Sequence, residues 1–362
     1  MRRGRVAVRG GGTPGVRSIG ATLLLGCGLS LTVPAGVLAQ EATPLPSYTA
    51  TVEVRRVVVD VRVVDAKGIP VKGLTAANFK VLVDDRPAPL ESAEWIEGTQ
   101  PYAEGLTPDQ AAEAGVEPAP RGRLLVFLFQ VGYESVRLTG QMRMSSRAER
   151  VLASLTPDDL VAVVSYDSHL KLRVDFTTDR ERVKSAIHDA ILAGKVERLP
   201  PGPPPSLAAT LDYTAADEAA TPERGLYVLA QALRDLPGSK SLVYFGWGLG
   251  TYFGGHVRMG TDYARASAAL RAGHVSVYSI DVTDADLHDL EVGLEQVADD
   301  TGGFYVKTNQ FPDQAVTRIE GAIAGYYTLV FASPTTRHGD HAVAISLVNA
   351  TGNILGSFRF HD

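Results

Sequence analysis

The residues with chemistry to offer are few and scattered. Residues 281–289 (DVTDADLHD) bring Asp281, Asp284, Asp286, His288 and Asp289 close together. Oxygen donors with one imidazole could hold a cation. The run lacks the spacing and the obligate glycine of a calcium loop. Acids in the first turn of a helix ordinarily complement its dipole, and that role is the one expected here. His338, Asp340 and His341 offer zinc-type donors. They sit in a turn between strands with no third ligand in view, so a structural role is expected. Ser168 and Lys171 fit an S-x-x-K pattern by chance. The Gly-Ser-Lys at 238–240 enters a strand rather than a helix, so it cannot cradle phosphate. The sequence has no G-x-S-x-G elbow, no H-E-x-x-H and no Walker A loop. With no usefully paired histidine either, the expectation is a protein that binds rather than catalyses, with no cofactor. A hydrolase without a recognisable motif is the remote alternative.

A second cluster is aromatic. Residues 246–255 (GWGLGTYFGG) carry Trp247, Tyr252 and Phe253 among five glycines. Glycine makes a loop pliable, and large aromatics dominate interface energetics.

These residues must be positioned by two kinds of element. Residues 51–64 (TVEVRRVVVDVRVV) alternate and are β-branched, which is strand chemistry. A turn at 65–70, a returning stretch at 71–74, a short helical corner at 74–79 and a strand at 79–83 follow. Short strands separated by turns predict a small β-sandwich over 40–97. Residues 98–122, rich in Gly, Pro and Ala, read as a linker. From 123 the pattern changes. Residues 124–129 (LLVFLF), 160–166 (LVAVVSY), 241–245 and 274–280 are continuous apolar runs, as expected of strands covered on both faces. Residues 170–176 alternate like an edge strand. Helices are expected near 145–155, over 180–193, in a long region ending near Leu236, over 287–299 and over 315–323. The alternation predicts a doubly wound, mostly parallel α/β sheet over 123–325. Residues 326–362 return to β structure, with strands at 327–331, 342–348 and 354–360.

Composition bounds the rest. An apolar fraction of 45% and a charged fraction of 21% are those of an ordinary globular protein. Residues 1–39 hold Arg2, Arg3, Arg5, Arg9 and Arg17 and no acid, then an apolar run at 19–33 and small residues at 37–39. That is the layout of a signal peptide cleaved before Gln40, and the expected location is periplasmic or extracellular. The apolar run is shorter than the roughly 20 residues of a spanning helix. A retained anchor is the rival reading, and lipidation of Cys27, the single cysteine, is another. Cleavage would remove five arginines and take the formal charge from −6 to −11. Such an acidic chain is a poor binder of nucleic acid or anionic membrane.

Several motifs fall in a familiar order. Residues 59–83 (VDVRVVDAKGIPVKGLTAANFKVLV) are followed by 155–163 (LTPDDLVAV), 236–243 (LPGSKSLV), 277–281 (VYSID), a Thr-Gly-Gly at 301–303, and Tyr326-Tyr327. Over residues 50–331 the chain resembles secreted bacterial proteins related to the von Willebrand factor type A domain. The resemblance implies an exported binding module of that fold, whose partner is another protein.

Type A domains usually hold a divalent cation. A D-x-S-x-S sequence ends their first strand, a loop threonine contributes, and an aspartate ends the fourth strand. Such oxygen donors suit magnesium. Here Gln130 stands at the aspartate, Gly132 and Glu134 at the serines, and Trp247 near the fourth-strand aspartate. The loop threonine would lie near Ser206 or Thr210. The resemblance therefore implies a degenerate metal site, with a rearranged cation site as the alternative. It also places Tyr133, Glu134, Trp247, Tyr252 and Phe253 on the face where type A domains meet ligands. Trp247 has two readings, a partner contact or a plug in the hollow that a cation would fill.

Overall fold

The computed structural model describes residues 4–5, 53–97, 122–132, 138–192, 194–283, 288–308, 312–356 and 358–361. The chain divides into Met1–Arg55 and Arg56–Asp362. In the first unit the described residues include two short paired segments, Gly4–Arg5 and Glu53–Val54. The expected signal peptide and linker lie almost wholly outside the described residues.

In the second unit, Arg56–Val64 (β1) follows the alternating pattern and buries Val57, Val59, Val61 and Val63 on one face. The next turn is held by the Asp65 carboxylate, which accepts hydrogen bonds from the N–H groups of Lys67 and Ile69 at 2.8 and 2.9 Å. Residues 71–74 form no strand. The Tyr327 hydroxyl secures this stretch instead, accepting from the Leu74 N–H at 3.0 Å and donating to the Val71 carbonyl at 2.8 Å. One turn of 3-10 helix, Ala76–Asn78, leads into Phe79–Val83 (β2), Arg86–Ala88 (β3) and Leu90–Ile96 (β4).

The α/β body begins with Leu124–Gln130 (β5), Leu138–Ala153 (α1), Leu160–Tyr166 (β6), Leu170–Thr177 (β7) and Arg180–Ile191 (α2). The long helical region expected before Leu236 is three helices, Leu207–Thr210 (α3), Tyr213–Asp217 (α4) and Pro222–Arg234 (α5). The breaks fall where Asp212 and Thr221 turn their side chains back to cap the next helix, accepting from the N–H groups of Ala215 and Arg224. Then come Lys240–Gly246 (β8), Thr251–Phe253 (β9), His256–Arg258 (β10), Tyr263–Ala272 (α6), Val275–Asp281 (β11), Glu291–Asp300 (α7), Phe304–Lys307 (β12) and Pro312–Ile323 (α8). Helix α6 was not anticipated from the sequence. The chain closes with Tyr326–Ala332 (β13), Asp340–Leu347 (β14), Asn353–Leu355 (β15) and Phe358–His361 (β16).

A six-stranded sheet in the order β12-β11-β8-β5-β6-β7 forms the body. Its neighbours are parallel except β7, which runs antiparallel to β6 at one edge. Every residue of β5, β8 and β11 is buried, because helices cover both faces. On one face Leu229, Leu233, Leu270 and Leu294 pack against Val126, Leu242 and Val277. On the other, Met144, Val151, Ile187 and Ile319 pack against Phe127, Val243 and Ile280.

The C-terminal strands complete the N-terminal sheets. One four-stranded sheet runs β15-β1-β13-β4 and the other β16-β14-β2-β3. The stretch expected as one strand over 354–360 is thus two strands in two sheets. Val61, Val81, Val83, Leu329 and Phe331 fill the space between them. Alternation along β1 turns Arg62 away from that core and toward the α/β body. There it is buried, and its Nε donates to the Ala322 carbonyl at 3.1 Å and its Nη1 to Ser276 Oγ at 2.7 Å. The guanidinium also lies over the rings of Tyr278 and Tyr326, so a cation with two flat partners joins sandwich and body.

Candidate functional site

Counted in chain order, the six strands lie 3-2-1-4-5-6, and the order reverses between β5 and β8. Sheets of this kind bind ligands beyond the carboxyl ends of their strands at that reversal. Gln130 ends β5, Gly246 ends β8, and Asp281 ends β11 in register with Gly246. Gly246 supplies no side chain, and a β-carbon there would lie 2.8 Å from Gln130 Oε1 and 3.1 Å from the Tyr244 ring. The Gln130 amide therefore lies against the face that glycine leaves bare. Its Oε1 accepts a hydrogen bond from the Trp247 backbone N–H at 3.1 Å, while its buried Nε2 meets no partner among the described residues. Below, burial, reinforced by the Glu223 carboxylate, pushes the Tyr166 hydroxyl up to about 12, and Tyr244 is raised further for the same reasons.

Gly132 is half-buried just past β5. Tyr133 and Glu134 fall outside the described residues. Ser206 caps α3, accepting from the Ala209 N–H and donating to Asp175 Oδ2 at 2.6 Å. The Thr210 hydroxyl reaches back to the carbonyls of Ser206 and Leu207. Both candidate loop hydroxyls thus have local partners.

The aromatic loop is more ordered than its glycines suggested. Trp247 is half-buried, and Leu249 is buried, its N–H donating to the Leu290 carbonyl at 3.3 Å. Beyond Gly250 the chain forms the hairpin β9–β10. Its tip is Gly254-Gly255 with φ of +62° and +85°, the positive values a two-residue type I′ turn demands. Glycine here specifies a turn rather than looseness. Tyr252 and Phe253 are 51% and 62% exposed, and the Arg258 guanidinium lies 4.8 Å over the Phe253 ring.

One strand further along, Asp281 is not an acid in a helix's first turn, as expected, but a buried hub at the end of β11. Helix α7 starts ten residues later, at Glu291. Asp281 Oδ1 accepts from the Thr283 N–H and hydroxyl at 2.9 and 2.8 Å. Its Oδ2 accepts from His288 Nε2 at 2.8 Å and from the Tyr305 hydroxyl at 2.7 Å. Glu291 stands beside them, with Lys307 Nζ 2.5 Å from its Oε2. Asp281, His288 and Glu291 each bring a donor atom to within 4.8 Å of the others. Asp281 and His288 were marked by residue type, whereas Glu291, Tyr305 and Lys307 were not. The available signal was an aspartate at the end of a buried strand, followed by His288 and Glu291 one helical turn apart.

The other sequence candidates serve the fold. His341 is buried, with Nδ1 2.7 Å from Asp84 Oδ2 and Nε2 3.2 Å from the Arg337 carbonyl. Both ring nitrogens face oxygen acceptors. Lys171 pairs with Asp167 at 2.6 Å. Lys240 is buried with Nζ donating to the Leu236 carbonyl at 2.7 Å, and burial pushes its ammonium down to about 7.

Strand order and the antiparallel edge define a doubly wound, mostly parallel α/β protein, with two small β-sheets added. No family model matches the chain, and no curated protein does. Among solved structures it is similar to a von Willebrand factor type A protein from Catenulispora acidiphila. The identity is 10%, over 84% of this chain and 72% of that one, with a TM-score of 0.38. It is similar also to the conserved hypothetical protein BatB from Bacteroides thetaiotaomicron, at 11% identity, 54% and 96% coverage and a TM-score of 0.35. A third is the manganese-loaded TRAP protein of Plasmodium vivax, at 10% identity, 62% and 93% coverage and a TM-score of 0.33. Among the described residues, no helix is long and apolar enough to cross a membrane.

Proposed function

We propose that this chain is an exported, non-enzymatic binding module that docks a protein partner on the carboxyl-end face of its α/β sheet. The observation that carries the reading is the pair Tyr252 and Phe253, exposed on a hairpin whose glycine turn fixes its shape. Ordered aromatics lose little side-chain freedom on binding, which is why they serve as anchors. The half-buried Trp247 is assigned to the same surface, as are Tyr133 and Glu134, which come next in the sequence after the first body strand. At the usual type A cation position Gln130 offers a neutral amide and Gly246 no side chain, so docking there proceeds without magnesium. Export is proposed from the basic, apolar and small-residue segments of 1–39.

The test is capture from the native envelope fraction, using wild-type protein and the variants Tyr252→Ala and Phe253→Ala. A protein retained by the wild type and lost from both variants is the expected result. Equal retention by all three would move the docking surface elsewhere, with the small β-sheets next to examine. N-terminal sequencing of the native protein should give Gln40, and an intact Met1 on cytosolic protein would overturn export.

A further inference from the structure

A cluster of donors lies beside the degenerate position and has no part in the docking reading. Asp281, His288 and Glu291 each bring one ligand atom to within 4.8 Å of the other two. In a tetrahedral zinc shell, bonds of roughly 2.0–2.1 Å set ligand atoms about 3.4 Å apart. The separations therefore exceed a coordinating arrangement by at most about 1.4 Å, and His288 and Asp281 already touch at 2.8 Å.

The electrostatics favour a cation. Asp281 is 1% exposed, and the Glu291 carboxylate reaches within 4.8 Å of its ligand atom, so two carboxylates share one small space. Lys307 supplies the balancing positive charge beside Glu291. Lys307 Nζ lies 2.5 Å from Glu291 Oε2, an oxygen shielded from solvent.

The outer contacts are also in place. Tyr305 donates to Asp281 Oδ2, while the Thr283 N–H and hydroxyl fix Oδ1. Such supports orient ligands in metal sites.

We propose that Asp281, His288 and Glu291 bind a divalent transition-metal ion of the zinc class, with the Lys307 ammonium as the group it displaces. One imidazole with two carboxylates suits zinc better than magnesium or calcium, which take all-oxygen shells. Three protein ligands leave a fourth position for water. Binding exchanges the Nε2 proton of His288 and the ammonium contact for metal–ligand bonds. The ion fixes the segment carrying Leu290, which the Leu249 N–H contacts and against which Gly248 packs. It therefore braces the loop that presents Trp247 and the hairpin.

The test uses the full chain stripped with a chelator and titrated with zinc chloride or magnesium chloride by calorimetry and thermal melting. One zinc per chain and a zinc-dependent rise in melting temperature are expected, with no response to magnesium. His288→Gln keeps an amide donor for Asp281, so its metal-free melt should match the wild type while zinc affinity falls by more than about 100-fold, beyond the loss of a merely supporting residue. Glu291→Gln should behave likewise, and Lys307→Met should bind zinc more tightly. Absence of saturable one-to-one binding, or wild-type affinity in both His288→Gln and Glu291→Gln, would overturn the proposal. None of these outcomes depends on partner capture, so the docking reading stands or falls separately.

Discussion

Gln130 Oε1 and the Trp247 backbone N–H meet at 3.1 Å across the ends of β5 and β8. A neutral side-chain amide thereby joins the two strands at the point where the sheet reverses direction. The contact depends on Gly246, since a β-carbon there would lie 2.8 Å from the same oxygen. Gly246→Ala should therefore destabilise the fold by roughly 1–3 kcal/mol through overpacking. Gln130→Ala should cost about 1–2 kcal/mol by leaving the Trp247 N–H without its acceptor. The double variant should cost less than the sum, because the shortened side chain removes the clash. Urea denaturation of the four proteins measures the coupling, and strict additivity would show that the two positions do not compete for space.

Magnesium should leave the melting temperature unchanged. A ligand at 100 times its dissociation constant stabilises by about 2.7 kcal/mol, which a melt detects easily. A magnesium-dependent rise abolished by Glu134→Ala would show that the first strand's loop holds a cation after all.

The aromatic residues should separate stability from binding. Trp247 is half-buried, so Trp247→Ala should lower both stability and partner capture. Full loss of a buried aromatic costs about 3–5 kcal/mol, and a half-buried one should fall below that range. Tyr252→Ala and Phe253→Ala, both exposed, should change stability by less than about 0.5 kcal/mol while weakening capture by about 2 kcal/mol or more if they are the anchors. Chemical denaturation and quantitative capture read the two effects independently.

Lys240 gives a signed pH dependence. Burial lowers its ammonium from 10.5 to about 7 in the folded protein, so above pH 7 the unfolded chain binds more protons than the folded one. Stability should rise with pH from about 7 towards 10, with a contribution from this group of up to about 1.4 kcal/mol per pH unit. Below pH 7 both states are protonated and the contribution is flat. Lys240→Met should remove the rise, and parallel stability profiles for wild type and variant would show that Lys240 does not titrate in this range.

Zinc-class metal binding at Asp281, His288 and Glu291 is a further expectation.

The sheet was legible because its signal is local. Continuous apolar runs such as 124–129 are strands covered on both faces, and the alternation of 56–64 is a strand with one buried face. Gly254-Gly255 was legible as glycine but not as a turn, because its φ values acquire meaning only once Thr251–Phe253 pairs with His256–Arg258. The helix breaks before α4 and α5 were missed for a similar reason. Asp212 and Thr221 cap helices through contacts that helical periodicity does not register.

By itself the sequence determined the class of fold, because continuous apolar runs alternating with helical stretches are a short-range pattern. Tertiary structure decided that β13 to β16 complete the sheets begun by β1 to β4. It also decided that Arg62 joins those sheets to the body and that Asp281, His288, Glu291, Tyr305 and Lys307 form one cluster. These contacts join residues on separate strands, loops and helices. The chain sequence carries no periodicity that marks them, and packing and pairing across the fold bring them together.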